Sequence, residues 1–141
     1  MKTYSDLQAI DTRLRLQIQL EPVGIPDIKT SINGFINDYP RLSSNINLYY
    51  YIDLLDLFSV SIELRNKIYS VDNETAIIIK RLSVDNIELI PKYDYLAEYI
   101  NDHDNNSPAS YLGFNGKWTL TFDRPFYHWL HEHSGQGWLI G

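Results

Sequence analysis

At 141 residues, with 44% hydrophobic and 21% charged positions, the chain has the size and composition of one domain that buries its own core. The absence of cysteine excludes a disulfide framework, a thiolate nucleophile and a Cys-ligated zinc site, and suits a reducing cytoplasm. A formal net charge of −6 sets the molecular field against phosphate, and Lys80-Arg81 is the only adjacent basic pair, so nucleic acid is not an expected partner.

Residues 1–12 read as an N-terminal arm. They carry Asp6 where an export signal needs a basic start and an apolar run, so no signal peptide is expected. No stretch approaches the roughly 20 apolar residues of a membrane span, and no membrane partner is expected either. Leu14, Leu16, Ile18 and Leu20 alternate with Arg13, Arg15, Gln17 and Gln19, the period of two of a half-buried strand. Two prolines and a glycine across Glu21–Pro26 predict an extended turn there. Asn33-Gly34 then predicts a type I′ hairpin between Asp27–Asn33 and Phe35–Asp38, whose short second arm suits a sheet edge.

After a polar loop, Ile46, Leu48, Tyr50, Ile52 and Leu54 alternate with Asn47, Tyr49, Tyr51 and Asp53, which loads both faces of a strand with tyrosine. Phe58, Val60, Ile62 and Leu64 alternate with Ser59, Ser61, Glu63 and Arg65 in the next. The run Ala76–Ile79 predicts a strand covered on both sides, and Val84-Asp85-Asn86 a hairpin turn that pairs it with Ile87 and Leu89. Pro91–Asn101 fits a short helix as well as an edge strand, and Asn101–Pro108 is a surface loop. Asn115-Gly116 is a second hairpin signal, followed by a strand with Trp118, Leu120 and Phe122. Pro125 opens a short helical turn through His131, which Ser134–Gly137 ends. Trp129 and Trp138 flank that stop and are expected to anchor the end of the fold.

Some seven short strands, regular turn signals and no long helical pattern predict an all-β chain: one two-sheet antiparallel β-sandwich of jelly-roll or C2-like type spanning residues 1–141, with a closed β-barrel as the alternative. Chemistry has few places to sit. His128 and His131 share a helical face and are candidate zinc ligands beside Glu132, although the i, i+4 pair of a zinc helix is missing. Asp102, Asp104 and Asn106 offer hard oxygens to calcium, without the ordered pattern of an EF-hand. Asp53, Asp56 and the Asp123-Arg124 pair are at strand ends and read as solvated groups. No serine elbow, phosphate loop or His-Glu-x-x-His occurs, so no catalytic residue is assigned and no cofactor beyond calcium is considered.

Tyrosine is the more informative feature, with eleven Tyr alongside three Trp and five Phe. Tyr49, Tyr51, Tyr111 and Trp118 are the candidate ligand or interface residues, because Tyr and Trp offer broad area with a polar tip. The competing reading is that such aromatics fill a second core face.

The segments Tyr111–Trp118, Pro125–His131 and Gly135–Leu139 resemble small proteins encoded by tailed bacteriophages. That resemblance implies a virion component or a factor of the infected cytoplasm. The expectation is a non-enzymatic assembly module that binds itself or virion proteins through exposed aromatic strands. A carbohydrate-binding module using the same aromatics, with or without calcium, is one alternative, and a metal-dependent enzyme using the C-terminal histidines is the other.

Overall fold

Period-two alternation becomes strand wherever one phase is apolar. The computed structural model describes residues 13–53, 57–69, 74–90, 92–103 and 111–134. Ten strands follow in order: β1 (Arg13–Val23), β2 (Asp27–Ile32), β3 (Phe35–Tyr39), β4 (Ile46–Asp53), β5 (Phe58–Arg65), β6 (Ala76–Val84), β7 (Ile87–Ile90), β8 (Glu98–Asn101), β9 (Tyr111–Leu112) and β10 (Gly116–Phe122). A helix α1 (Phe126–Ser134) closes the series. All pairings are antiparallel, and they form two sheets. Sheet A runs β4-β1-β6-β7 with β9 beside β6, and sheet B runs β3-β2-β5-β10-β8. The chain is thus a two-sheet β-sandwich, and the closed barrel is set aside because among the described residues the two sheets are separate and each ends in edge strands.

The apolar phase of β1, β2, β5 and β10 faces the other sheet. Leu16, Ile18 and Leu20 of β1, Ile62 of β5 and Trp118, Leu120 and Phe122 of β10 are all completely buried in one continuous core. Two positive-φ hairpin turns set the register. Asn33 and Gly34 make the β2–β3 turn at φ 49° and 89°, and Asp85 and Asn86 make the β6–β7 turn at 51° and 68°, so both hairpins sit where side-chain chemistry tolerates the left-handed region. Gln19 pairs with Arg81 and Leu20 with Ile79, which leaves Lys80 as the extra residue of a bulge.

Two sequence expectations are corrected and one open alternative is resolved. The Glu21–Pro26 turn starts later, since β1 continues through Pro22, opposite Ile77, to Val23. Strand β4 ends opposite Leu20, so Pro22 has a strand on one side only and its missing N–H leaves no ladder bond unmade. Asn115-Gly116 is not a hairpin: β9 pairs with β6, while β10 pairs with β5 and β8. Gly116 instead sits within β10 opposite Asn101, where an added Cβ would lie 2.3 Å from the Ile100 carbonyl oxygen. The ambiguous segment after Pro91 resolves into a 3-10 turn (Asp94–Leu96) and then β8.

Helix α1 extends past His131 to Ser134, the first residue of the expected stop, and starts where the Pro125 carbonyl accepts the Trp129 N–H at 3.0 Å. Phe126, Trp129 and Leu130 fall on one helical face and are buried. The Trp129 ring is 4.5 Å from Phe122 and 5.8 Å from Tyr93, so it anchors this end of the sandwich as expected. Trp138 lies outside the described residues. Among those described, no helix is long and apolar enough to cross a membrane.

Candidate binding face

The central position of β1 builds the most distinctive surface of the molecule. Its inward phase is core, so Arg13, Arg15, Gln17 and Gln19 are held outward. Strand β4 pairs with β1 in an unbroken register that sets Tyr49 opposite Gln17, Tyr51 opposite Arg15, Asn47 opposite Gln19 and Asp53 opposite Arg13. Paired residues share a face, so both tyrosines stand on the outer side of sheet A, about 7 Å apart along the strand. They are 58% and 68% exposed.

The Gln17 amide donates to the Tyr49 hydroxyl at 3.4 Å, and the Arg13 guanidinium lies 5.4 Å from the centre of the Tyr51 ring. Two rings and three amides thus line a flat, solvent-facing strip. Tyr50, of the opposite phase, turns between the sheets and accepts a 3.0 Å hydrogen bond from Asn37 Nδ2 of β3.

That bond bridges the open side of the sandwich, where edge strands β3 and β4 face one another across a groove of about 370 Å³. Phe35 and Ile36 at its rim are 68% and 57% exposed. These two residues escaped sequence reasoning because the hairpin pattern marks them as an ordinary strand start. Their lack of a covering strand is a property of sheet order.

Of the other candidates, Tyr111 is 46% exposed and pairs with Ile78 on the same outer face. Three strand spacings and four residues of β1 separate it from the Tyr49–Tyr51 pair, a distance on the order of 20 Å. It belongs to a different patch. Trp118 is corrected outright: it is wholly buried, paired with Ile62 and Tyr99 on the inner face of sheet B, and cannot stack on a ligand from solvent. The phase of β10 decides this, since Leu120 and Phe122 share its face.

Asp102 is engaged by its own neighbours. Its Oδ1 accepts the Tyr69 hydroxyl at 2.6 Å and stands 2.7 Å from His103 Nδ1, and these contacts hold its carboxyl below the usual range. Tyr69 in turn receives the Asn115 N–H at 2.8 Å, and the His103 ring stacks on Phe114 at 4.3 Å. Asn115 exchanges two hydrogen bonds with the Lys67 backbone, and the Tyr99 hydroxyl bonds both the carbonyl and the N–H of Phe114. Burial pushes the Tyr99 hydroxyl up to about 12. The cluster is a lock that ties the β5, β8 and β10 ends together. Asp104 and Asn106 lie outside the described residues.

On α1, His128 is exposed and His131 half-buried, one turn apart. Glu132 reaches Arg124 at 3.4 Å, and the His133 ring packs 4.9 Å from Trp129. Among the described residues no three His, Asp or Glu side chains converge as a metal site would require. Asp123 pairs with Arg124 at 3.2 Å, Asp53 is exposed on β4, and Asp56 lies outside the described residues.

No protein-family model matches the chain, and no curated protein does either. Among solved structures, one of vCBM60 in complex with galactobiose is similar, at 10% identity and a TM-score of 0.46, over 77% of this chain and 96% of that one.

Proposed function

We propose that this chain is a non-catalytic carbohydrate-binding domain that holds an extended glycan on the outer face of sheet A, along β4. The carrying observation is that Tyr49 and Tyr51 stand exposed on one face, in register with the amides of Gln17, Gln19 and Asn47. An exposed ring stacks on the C–H face of a pyranose, while amides and phenolic hydroxyls exchange hydrogen bonds with its hydroxyls. A flat strip of this kind suits a chain of sugars better than a single buried one. The test is a glycan array run on the parent chain and on Tyr49→Ala/Tyr51→Ala, with and without a calcium chelator. Binding lost in the double variant supports the reading, and a parent that binds no glycan under either condition sinks it.

A second reading rests on a different observation, the exposed Phe35 and Ile36 on edge strand β3 beside edge strand β4. Unpaired edges carrying apolar side chains are templates for strand addition, so this side of the sandwich supports self-association. The resemblance of the C-terminal segments to phage proteins would set that assembly in a virion. Light scattering across a concentration series checks it. A monomer at every concentration, in the parent as in Phe35→Lys, removes this reading.

A further inference from the structure

Resting on the carbohydrate reading, we infer that the glycan is acidic, and that Arg13 and Arg15 bind its carboxylate or sulfate groups beside Tyr51. The two guanidiniums flank one exposed ring: Arg15 is the cross-strand partner of Tyr51, and Arg13 lies 5.4 Å from the ring centre. Both side chains are on the exposed phase of β1.

Several cations of this fold have a carboxylate to meet. Arg65 reaches Asp27 at 3.0 Å, Lys67 reaches Glu74 at 2.5 Å and Arg81 reaches Glu88 at 2.7 Å. Arg13 and Arg15 make no ion pair among the described residues. Two acids stand near them. Asp53 is opposite Arg13 in the register, and Asp85 accepts the Arg15 backbone N–H at 3.3 Å, so it serves the main chain rather than the guanidinium.

Acidic side chains outnumber basic ones by eighteen to twelve in this chain, so two neighbouring guanidiniums without an ion pair among the described residues set the charge of the strip around Tyr51 against that of the chain as a whole. A guanidinium presents a planar fork of donors that matches a carboxylate or sulfate edge. Successive outward residues on β1 place the two forks about 7 Å apart, parallel to the two tyrosines. The strip therefore pairs a row of rings with a row of cations, the pattern expected for a polymer whose sugars carry regularly spaced anionic groups. A neutral glycan would leave both guanidiniums to water.

The experiment uses the full chain on a slide carrying neutral, uronic-acid, sialylated and sulfated oligosaccharides, followed by calorimetric titration of an oligogalacturonide and its fully methyl-esterified counterpart. The inference expects array signal concentrated on acidic members, with the uronic-acid, sialylated and sulfated spots reporting which anion is taken. It expects Arg13→Gln/Arg15→Gln to weaken the best acidic ligand about tenfold, down to the level of a neutral one. Arg13→Lys/Arg15→Lys should restore part of that binding, since charge returns without the fork. Melting curves establish that each variant is folded, and Tyr49→Ala/Tyr51→Ala should lose acidic and neutral ligands alike. Equal binding of neutral and acidic glycans, or arginine variants that bind like the parent, overturns the acidic inference and leaves the carbohydrate reading standing. No glycan signal at all overturns both.

Discussion

Truncating one aromatic from the core and one from the strip separates structural from functional tyrosine and tryptophan. Trp118 is fully buried, so Trp118→Ala removes a whole indole from the centre of sheet B; the cost is about 3–5 kcal/mol. For a domain of this length each kcal/mol moves Tm by roughly 3–4 °C, so the melt should fall by about 9–20 °C. Tyr51 is 68% exposed, which leaves about a third of its ring surface shielded, on the order of 65 Å². At about 25 cal/mol per Å² that surface contributes roughly 1.5 kcal/mol as an upper bound, and the Arg13 contact adds about 0.5. Tyr51→Ala should therefore lower Tm by no more than about 7 °C. In glycan titration the order reverses: Tyr51→Ala should lose more than about fivefold in affinity, while folded Trp118→Ala binds like the parent. Differential scanning calorimetry and titration on the same samples decide it. A Tyr51→Ala melt as depressed as that of Trp118→Ala would show that the tyrosines fill a second core face.

Gly116→Ala should separate β8 from β10, because the new methyl would meet backbone atoms of Ile100 and Asn101 at 2.3–2.6 Å; the expected cost is about 1–3 kcal/mol, with faster amide exchange confined to the β8–β10 pairs. The folded Tyr99 hydroxyl titrates at about 12 against an ordinary value near 10, so folding favours its protonated form. The stability this confers is fully present below pH 10 and lost as pH rises through 12. Melts in that window should lose about 2–3 kcal/mol more in the parent than in Tyr99→Phe. Zinc should leave the melting temperature unchanged, and His128→Ala should be silent because that ring is exposed; a zinc-dependent rise abolished by His131→Ala would establish a metal site on α1.

Strands whose inward phase is purely apolar could be read directly. The residues of β1 alternate without exception from Arg13 to Leu20, and the same holds for β4 and β10, so their faces followed from periodicity alone. Turns were legible where two consecutive residues tolerate positive φ, as at Asn33-Gly34. The same dipeptide chemistry misled at Asn115-Gly116, because glycine there answers to the approach of the Asn101 backbone, a contact between segments that no local pattern encodes. The candidate face was half legible. Tyr49 and Tyr51 carry their own signal, whereas their partners on β1 are some thirty residues away and become neighbours only through the β1–β4 register. Trp118 was misplaced although its own period-two neighbours, Leu120 and Phe122, already put it in the inward phase.

The same register explains why the strip can act as a binding surface without a cleft. Each outward residue of β1 is flanked by residues buried to 3% exposure or less, Leu14, Leu16, Ile18 and Leu20, so a slip of one position would drive arginine and glutamine into the core. The core thereby fixes the pitch of the outer row. Tyr49 and Tyr51 inherit that pitch through eight consecutive pairs with β1. A ligand landing there meets groups already spaced and oriented, and the binding free energy is not spent on ordering the backbone. Such a surface selects by repeat distance rather than by enclosure. That is the ground for the proposed extended glycan with regularly placed groups, and shifting the phase of β1 by one inserted residue after Leu16 should abolish binding together with folding rather than retune it.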